Sequence, residues 1–183
     1  MDNAVLDNPY KNKGIIVVTY TGSPWMSDCL SSLTGVKYPI YICINPKGRS
    51  AYDAEGFYYA KKHGIKDFII LHDSMEIKDI SLFDKLFELE GNVQLSRAWQ
   101  MFLGKFSLDK LPPLPHRPVG KMAAVNFESS YLRGTKADHI PFELLKDTKV
   151  FIFKQGKKRM VIENEYLIKF KGTWETTSIG ANE

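Results

Sequence analysis

Long apolar runs, abundant cysteine and every glycine-rich phosphate loop are missing from this 183-residue chain. No stretch approaches the ~18 consecutive apolar residues of a membrane span, so no transmembrane segment is expected. The start, Met1-Asp2-Asn3, has neither the basic residues nor the apolar core of a secretory signal. Only two cysteines occur, Cys29 and Cys43, and both fall in predicted regular segments, which points to buried free thiols. These features together predict a cytoplasmic protein, with attachment at a membrane surface as a variant. No G-x-G-x-x-G follows the first strand, and the chain has no Walker loop, G-x-S-x-G elbow or zinc-type Cys/His cluster. Dinucleotide binding, P-loop chemistry and a serine or cysteine triad are thereby disfavoured. Basic residues interleaved with aromatics are also lacking, so nucleic acid is not an expected partner.

What is present is ordinary globular composition, 44% hydrophobic and 25% charged, in a length that suits one domain over 1–183. The net charge of +4 is concentrated late in the chain, at Lys154, Lys157, Lys158, Arg159 and Lys169. Such a patch can attract phosphates or anionic lipid, but a solvated turn at Gln155-Gly156-Lys157-Lys158 is the favoured reading.

Gly14 to Tyr20 is a β-branched run that reads as a central parallel strand. Trp25, Cys29, Leu30 and Leu33 fall on one helical face, with Ser23 as N-cap and Pro24 at the first helical position. Tyr38 to Ile44 is the second strand, ending in the cationic turn Asn45 to Ser50. Ala51 to His63 has helical spacing and closes on Gly64. Phe68 to Leu71 is a third, buried strand, completing a βαβαβ unit with a mostly parallel sheet. Ile80 to Glu90 predicts an amphipathic helix carrying Leu82, Phe83, Leu86 and Phe87 on one face. Residues 92–110 are ambiguous, and Pro112 to Pro118 is a surface loop. Lys121 to Phe127 reads as a strand and Phe142 to Lys146 as a short helix. Val150–Phe153 and Arg159–Ile162 form a predicted hairpin, followed by a strand over Glu165–Phe170. The fold class is thus α/β, a parallel half followed by a mixed C-terminal part.

Polar groups stand at three strand ends: Thr19 and Tyr20, Asn45 with Lys47 and Arg49, and His72, Asp73 and Ser74. Neighbouring parallel strands open their carboxyl ends onto one rim, where ligands bind in open α/β sheets. A carboxylate at the end of a buried strand is costly unless it meets water, a metal or a ligand. Asp73, with His72 beside it, is the candidate holder of a divalent cation bridging phosphates, which Lys47 or Arg49 would also reach. A turn aspartate and a hydrogen-bonded structural histidine are the plain alternatives.

Ile16-Val17-Val18-Thr19-Tyr20, Cys29-Leu30-Ser31-Ser32-Leu33 and Ile42-Cys43-Ile44-Asn45, in that order, resemble the nucleotide-binding half of GT-A fold glycosyltransferases, nearest the family-two type. The resemblance covers residues 14–90, leaving 91–176 as an acceptor-side half with the late hairpin. In that family the third strand leads into an Asp-x-Asp motif, and here Leu71-His72-Asp73-Ser74-Met75 keeps one aspartate. The resemblance implies a nucleoside-diphosphate-sugar donor, UDP- or GDP-linked, and Mn2+ or Mg2+ as cofactor. It also implies a glycan or lipid-linked acceptor hydroxyl, as in polysaccharide biosynthesis, and inversion at the sugar. By position, Thr19 and Tyr20 would line the nucleoside, Asn45 would read base or ribose, and Asp73 would be the metal-linked carboxylate. Ser74, His72 and Glu76 are the stand-ins for the missing aspartate. The catalytic base would be Asp138, Glu143 or Glu128, with Asp138 preferred for its expected loop position. Such domains usually run longer, so a truncated module or a homodimer is a further expectation. A non-catalytic nucleotide-sugar-binding scaffold is the main rival, and a nucleotidyltransferase a weaker one.

Overall fold

The computed structural model describes residues 9–45, 54–94, 103–119, 121–135, 138–139, 149–153 and 159–171. Its first half is the expected βαβαβ unit. Strand β1 (Lys13–Tyr20) is followed by helix α1 (Met26–Ser32), β2 (Ile40–Asn45), α2 (Ala54–His63) and β3 (Asp67–His72). Strand β1 lies between β2 and β3 and pairs in parallel with both, with Val17 opposite Ile42 on one side and Leu71 on the other.

Beyond β3 come β4 (Met75–Ile77), α3 (Ser81–Glu88), β5 (Val93–Gln94), β6 (Leu103–Ser107), α4 (Lys121–Gly134) and β7 (Asp138–His139). Strand β6 pairs antiparallel with β3 and with β5, and β7 pairs parallel with β5. The main sheet therefore has the order β2-β1-β3-β6-β5-β7, with β6 alone reversed. A second, antiparallel sheet joins β4 to β10 (Leu167–Lys171), β9 (Arg159–Glu163) and β8 (Lys149–Phe153), in the order β4-β10-β9-β8. The late hairpin and third late strand were expected; their union with β4, directly after the Asp73 turn, was not.

Strand alternation divides the core. Ile15, Val17, Ile69 and Leu71 face Cys29 of α1 and Leu82, Phe83 and Leu86 of α3. Ile16, Val18, Phe68 and Ile70 face Phe57 and Ala60 of α2 and Phe127 and Tyr131 of α4. Each such large side chain contributes about 1.5–3 kcal/mol on burial. Gly56 lets α2 lie close on the sheet, since a Cβ there would come within 2.7 Å of Ile70 Cδ1. Gly64 ends α2 at φ +65°, as expected of a C-cap. Both cysteines are buried free thiols.

Several boundaries and one element type differ from expectation. Lys121 to Phe127 is helix, not strand, because Ala124, Phe127 and Tyr131 recur at helical spacing and are all buried. Strand β2 starts at Ile40, after Pro39 and after Tyr38, whose ring leaves the strand to pack against Phe87. Helix α1 starts after Trp25, and Ser23 accepts the Trp25 N–H at 3.3 Å instead of capping the helix itself. The expected helix over 142–146 lies outside the described residues. The proline loop is coil but pinned: Tyr58 donates to the Pro115 carbonyl and Tyr131 to that of Pro112. Among the described residues no helix is long and apolar enough to cross a membrane.

Candidate functional site

The carboxyl ends of β1, β2 and β3 meet through their polar residues. Thr19 occupies the α1-facing side of β1, beyond Ile15 and Val17, and is 5% exposed. Its hydroxyl donates to Asp73 Oδ2 at 2.6 Å. The Asp73 backbone N–H donates to the Val18 carbonyl at 3.2 Å, so the turn stays tied to β1 after the β3 ladder ends. From β2, the Asn45 amide donates to the Thr19 carbonyl at 3.2 Å, and Thr21 N–H returns a bond to the Asn45 carbonyl. Tyr20 closes β1 and is 42% exposed.

Strand alternation does not continue through Asp73. Strand β3 stops at His72, Asp73 and Ser74 form a turn, and Met75 opens β4 in the other sheet. Ser74 is held by that second sheet: its carbonyl accepts from Phe170 N–H at 2.8 Å, and its hydroxyl accepts from the Lys169 ammonium. Lys169 is 4% exposed, buried although it belongs to the late basic stretch. It shares the inner face of β10 with buried Leu167 and lies opposite Met75. Trp25, just before α1, stacks on Phe170 with ring centroids 5.2 Å apart and planes 5° apart.

The Cys29 thiol lies beneath this turn, 3.9 Å from the His72 carbonyl. Burial drives its pKa up to about 12, helped by the Asp73 charge and opposed by the Lys169 charge, with Glu76 adding a smaller rise. On the α2 side of the rim, Arg117 from the proline loop places Nε and Nη2 each 2.5 Å from Glu55 Oε1. The guanidinium stays 58% exposed while the Glu55 side chain is 8% exposed. The sequence reading named Lys169 only as part of the late basic patch, and Arg117 only within the proline loop. Alternation with Leu167 carried a signal for the first, and the contact that carries the second spans 62 positions.

The described residues at the rim do not by themselves fit a divalent cation. Such an ion needs several oxygen ligands and enough carboxylate charge to displace its water. Asp73 Oδ2 is engaged by Thr19, and β3 alternation sends His72 to the α2 face, away from Asp73. Glu76 is in register with Ile168, on the face of β4 opposite Met75 and Lys169. The next side chain on the turn, Ser74, accepts a hydrogen bond from the Lys169 ammonium. Among the described residues no group of three or more His, Cys, Asp and Glu side chains is placed to hold a metal.

The acidic residues expected to supply a base are scattered. Glu128 lies in helix α4, so it does not follow a strand. Asp138 is in β7, not a loop, three strands from β3 and level with Ile69 through Val93 and Lys105. At ~4.8 Å between strands and ~3.3 Å per residue, its backbone is roughly 14 Å across and 13 Å along the sheet from Asp73. Lys47, Arg49 and Glu143 lie outside the described residues.

A separate pocket of about 190 Å³ lies before β2, lined by Lys37, Tyr38, Asp79 and Asp84 among others. Its polar groups are already paired, Tyr38 donating to Asp84 at 2.6 Å and Lys37 bridging it at 2.8 Å. No protein-family model matches the chain, and no curated protein matches it.

Proposed function

We propose that the chain is a glycosyltransferase that moves a sugar from a nucleoside-diphosphate donor to an acceptor hydroxyl. The observation that supports it most is the junction of Asn45, Thr19 and Asp73, which ties three parallel strand ends into one polar rim. Rims of this kind are where open α/β sheets bind nucleotides. Tyr20 supplies a ring face for the base, and Asp73 and Ser74 meet the sugar-diphosphate end. Asn45 acts by holding the Thr19 carbonyl rather than by reading the base directly. The acceptor oxygen attacks the anomeric carbon opposite the leaving group. As that bond forms, the bond from carbon to the phosphate oxygen breaks, and its electron pair leaves with the nucleoside diphosphate. The hydroxyl proton passes to a carboxylate base, and the sugar is inverted.

A thermal-shift screen of UDP, GDP and their sugar conjugates tests the reading, since a ligand bound to the native state raises Tm. Slow release of free nucleotide from a stabilising donor, lost in Asp73→Ala, is expected. Failure of every nucleotide to shift Tm would remove the proposal. The 6% exposure of Asp73 and its bond from Thr19 favour one rival, a domain that binds the donor without turning it over. Stabilisation with no nucleotide release, across a panel of acceptors, would establish that rival instead.

A further inference from the structure

Strand β2 ends the main sheet, and among the described residues no strand pairs with its outer edge. The direction of its backbone groups follows from two bonds at its ends. Ile15 N–H donates to the Pro39 carbonyl at 2.9 Å, and Thr21 N–H donates to the Asn45 carbonyl at 3.2 Å. Backbone groups alternate sides along a strand, so residues 39, 41, 43 and 45 point toward β1. Ile40, Ile42 and Ile44 therefore aim their N–H and C=O groups at the open edge.

The same three residues carry an apolar stripe. They stand in register with Ile15, Val17 and Thr19, on the α1 side of the sheet, while Cys43 packs on the α2 side. Ile15 and Val17 are fully buried there, but Ile40, Ile42 and Ile44 are between 37% and 61% exposed. Monomeric sheets blunt an edge with charges, proline or a bulge. The strand Ile40-Tyr41-Ile42-Cys43-Ile44-Asn45 has no charge and no proline, and its register with β1 runs unbroken.

From this geometry we infer that β2 is the contact between two copies of the chain, paired antiparallel about a two-fold axis at Ile42. With the axis normal to the sheet, Ile42 lies opposite its counterpart, and Ile40 lies opposite the Ile44 of the second copy. Every outward-pointing residue then meets another, and each such pair exchanges both its N–H···O bonds. The axis keeps the faces of the sheet in place, so the two stripes join on the α1 side, isoleucine beside isoleucine. A shift by one residue would oppose outward groups to inward ones and break this match. An uncharged partner strand, apolar at alternate positions, is what the edge requires, and β2 is itself such a strand. Two copies of a chain of net charge +4 meet along it without like charges opposed. The contact is closed, since each copy uses the same edge, and it does not depend on the nucleotide reading of the rim.

The experiment is analytical ultracentrifugation of the full chain over a range of concentrations, with residue-resolved amide exchange on the same samples. Wild type is expected to pass from the 20.9 kDa monomer to a dimer as concentration rises. Ile42→Lys sets two ammonium groups opposite each other at the axis and should raise the dimer dissociation constant roughly tenfold or more. Its Tm at low concentration should match wild type, because Ile42 is 40% exposed in the single chain. The amides of Ile40, Ile42 and Ile44 should exchange more slowly as the dimer forms, while those of Tyr41 and Cys43, directed at β1, stay protected throughout. A chain that is monomeric at every concentration overturns the inference. So does a dimer that Ile42→Lys leaves intact, or one in which the three isoleucine amides gain no protection. The exchange pattern is read on wild type, so it decides even where Ile42→Lys does not fold.

Discussion

Replacing Thr19 with valine removes one hydroxyl from the rim and leaves the side-chain volume almost unchanged. Thr19 is 5% exposed and Asp73 6% exposed, so neither partner recovers its lost hydrogen bond fully from water. The bond is 2.6 Å long and its acceptor is a carboxylate. Hydrogen bonds to charged groups contribute about 1.5–3 kcal/mol, and removing one partner of a buried pair costs in that range. For a chain of this size each kcal/mol moves Tm by about 2–4 °C, so Thr19→Val should lower it by roughly 3–12 °C. Thr19→Ser is the control, because it keeps the hydroxyl and loses only a methyl, worth about 0.8 kcal/mol by transfer. Urea unfolding of Thr19→Val, Thr19→Ser, Asp73→Asn and the double variant Thr19→Val/Asp73→Asn measures these terms. The serine variant should be the most stable of the four. The double variant should fall short of the sum of its two parents by more than the ~0.5 kcal/mol scatter of independent sites. A valine variant as stable as the serine one, or strictly additive losses, would refute the idea that this bond holds the rim together.

Three further outcomes test the surroundings of the site. Gly56→Ala places a Cβ 2.7 Å from Ile70 Cδ1 and 2.9 Å from Ile70 Cγ1, and should cost about 1–3 kcal/mol in urea unfolding despite the helix-propensity gain. Arg117→Ala leaves the Glu55 carboxylate, 8% exposed, without its guanidinium, and should destabilise by about 1–3 kcal/mol. Adding Glu55→Gln to Arg117→Ala should restore part of that loss, and a further loss would show that the carboxylate was not the cause. The buried thiols predict a loss of stability in alkali. Burial raises both Cys29 and Cys43 from 9.0 to about 12, aided at Cys43 by the Glu55 charge. A pKa raised in the folded state gives stability that is intact below 9.0 and is lost as pH rises toward about 12. The urea midpoint should fall across that window, and less steeply in Cys43→Val.

The parts of the fold that the sequence made legible are those carried by local patterns. The β-branched run Ile15 to Val18, the apolar run Phe68 to Leu71 and the face Leu82, Phe83, Leu86 and Phe87 each declare their element and their burial. A βαβαβ order then puts three strand ends on one rim, so the meeting of Thr19, Asn45 and Asp73 is legible in the sequence. Lys121 to Phe127 misled because a short apolar run fits a strand or a buried helix equally well. Only the recurrence as far as Tyr131 settles it as helix. Burial likewise decides what each rim residue does, and burial is not local. The resemblance implies a base or ribose contact for Asn45, and the structure shows it 2% exposed with its amide donating to the Thr19 carbonyl.

The charge at the rim was hidden for a related reason. Thr19 and Asp73 are 54 positions apart, but both follow directly from strands whose adjacency the βαβ rule supplies. Lys169 and Ser74 are 95 positions apart, and no rule of connection places β10 beside β4. A lysine in a basic segment reads as solvent-facing by default, because solvation is the cheapest state for an ammonium. Alternation argues the other way: if Leu167 is an inner residue of its strand, Lys169 is inner too, and an inner ammonium requires a polar partner. The chain offers it the Ser74 hydroxyl at the turn that carries Asp73. An inward lysine is costly in an apolar core, and its position beside the Asp73–Ser74 turn is what makes that cost bearable.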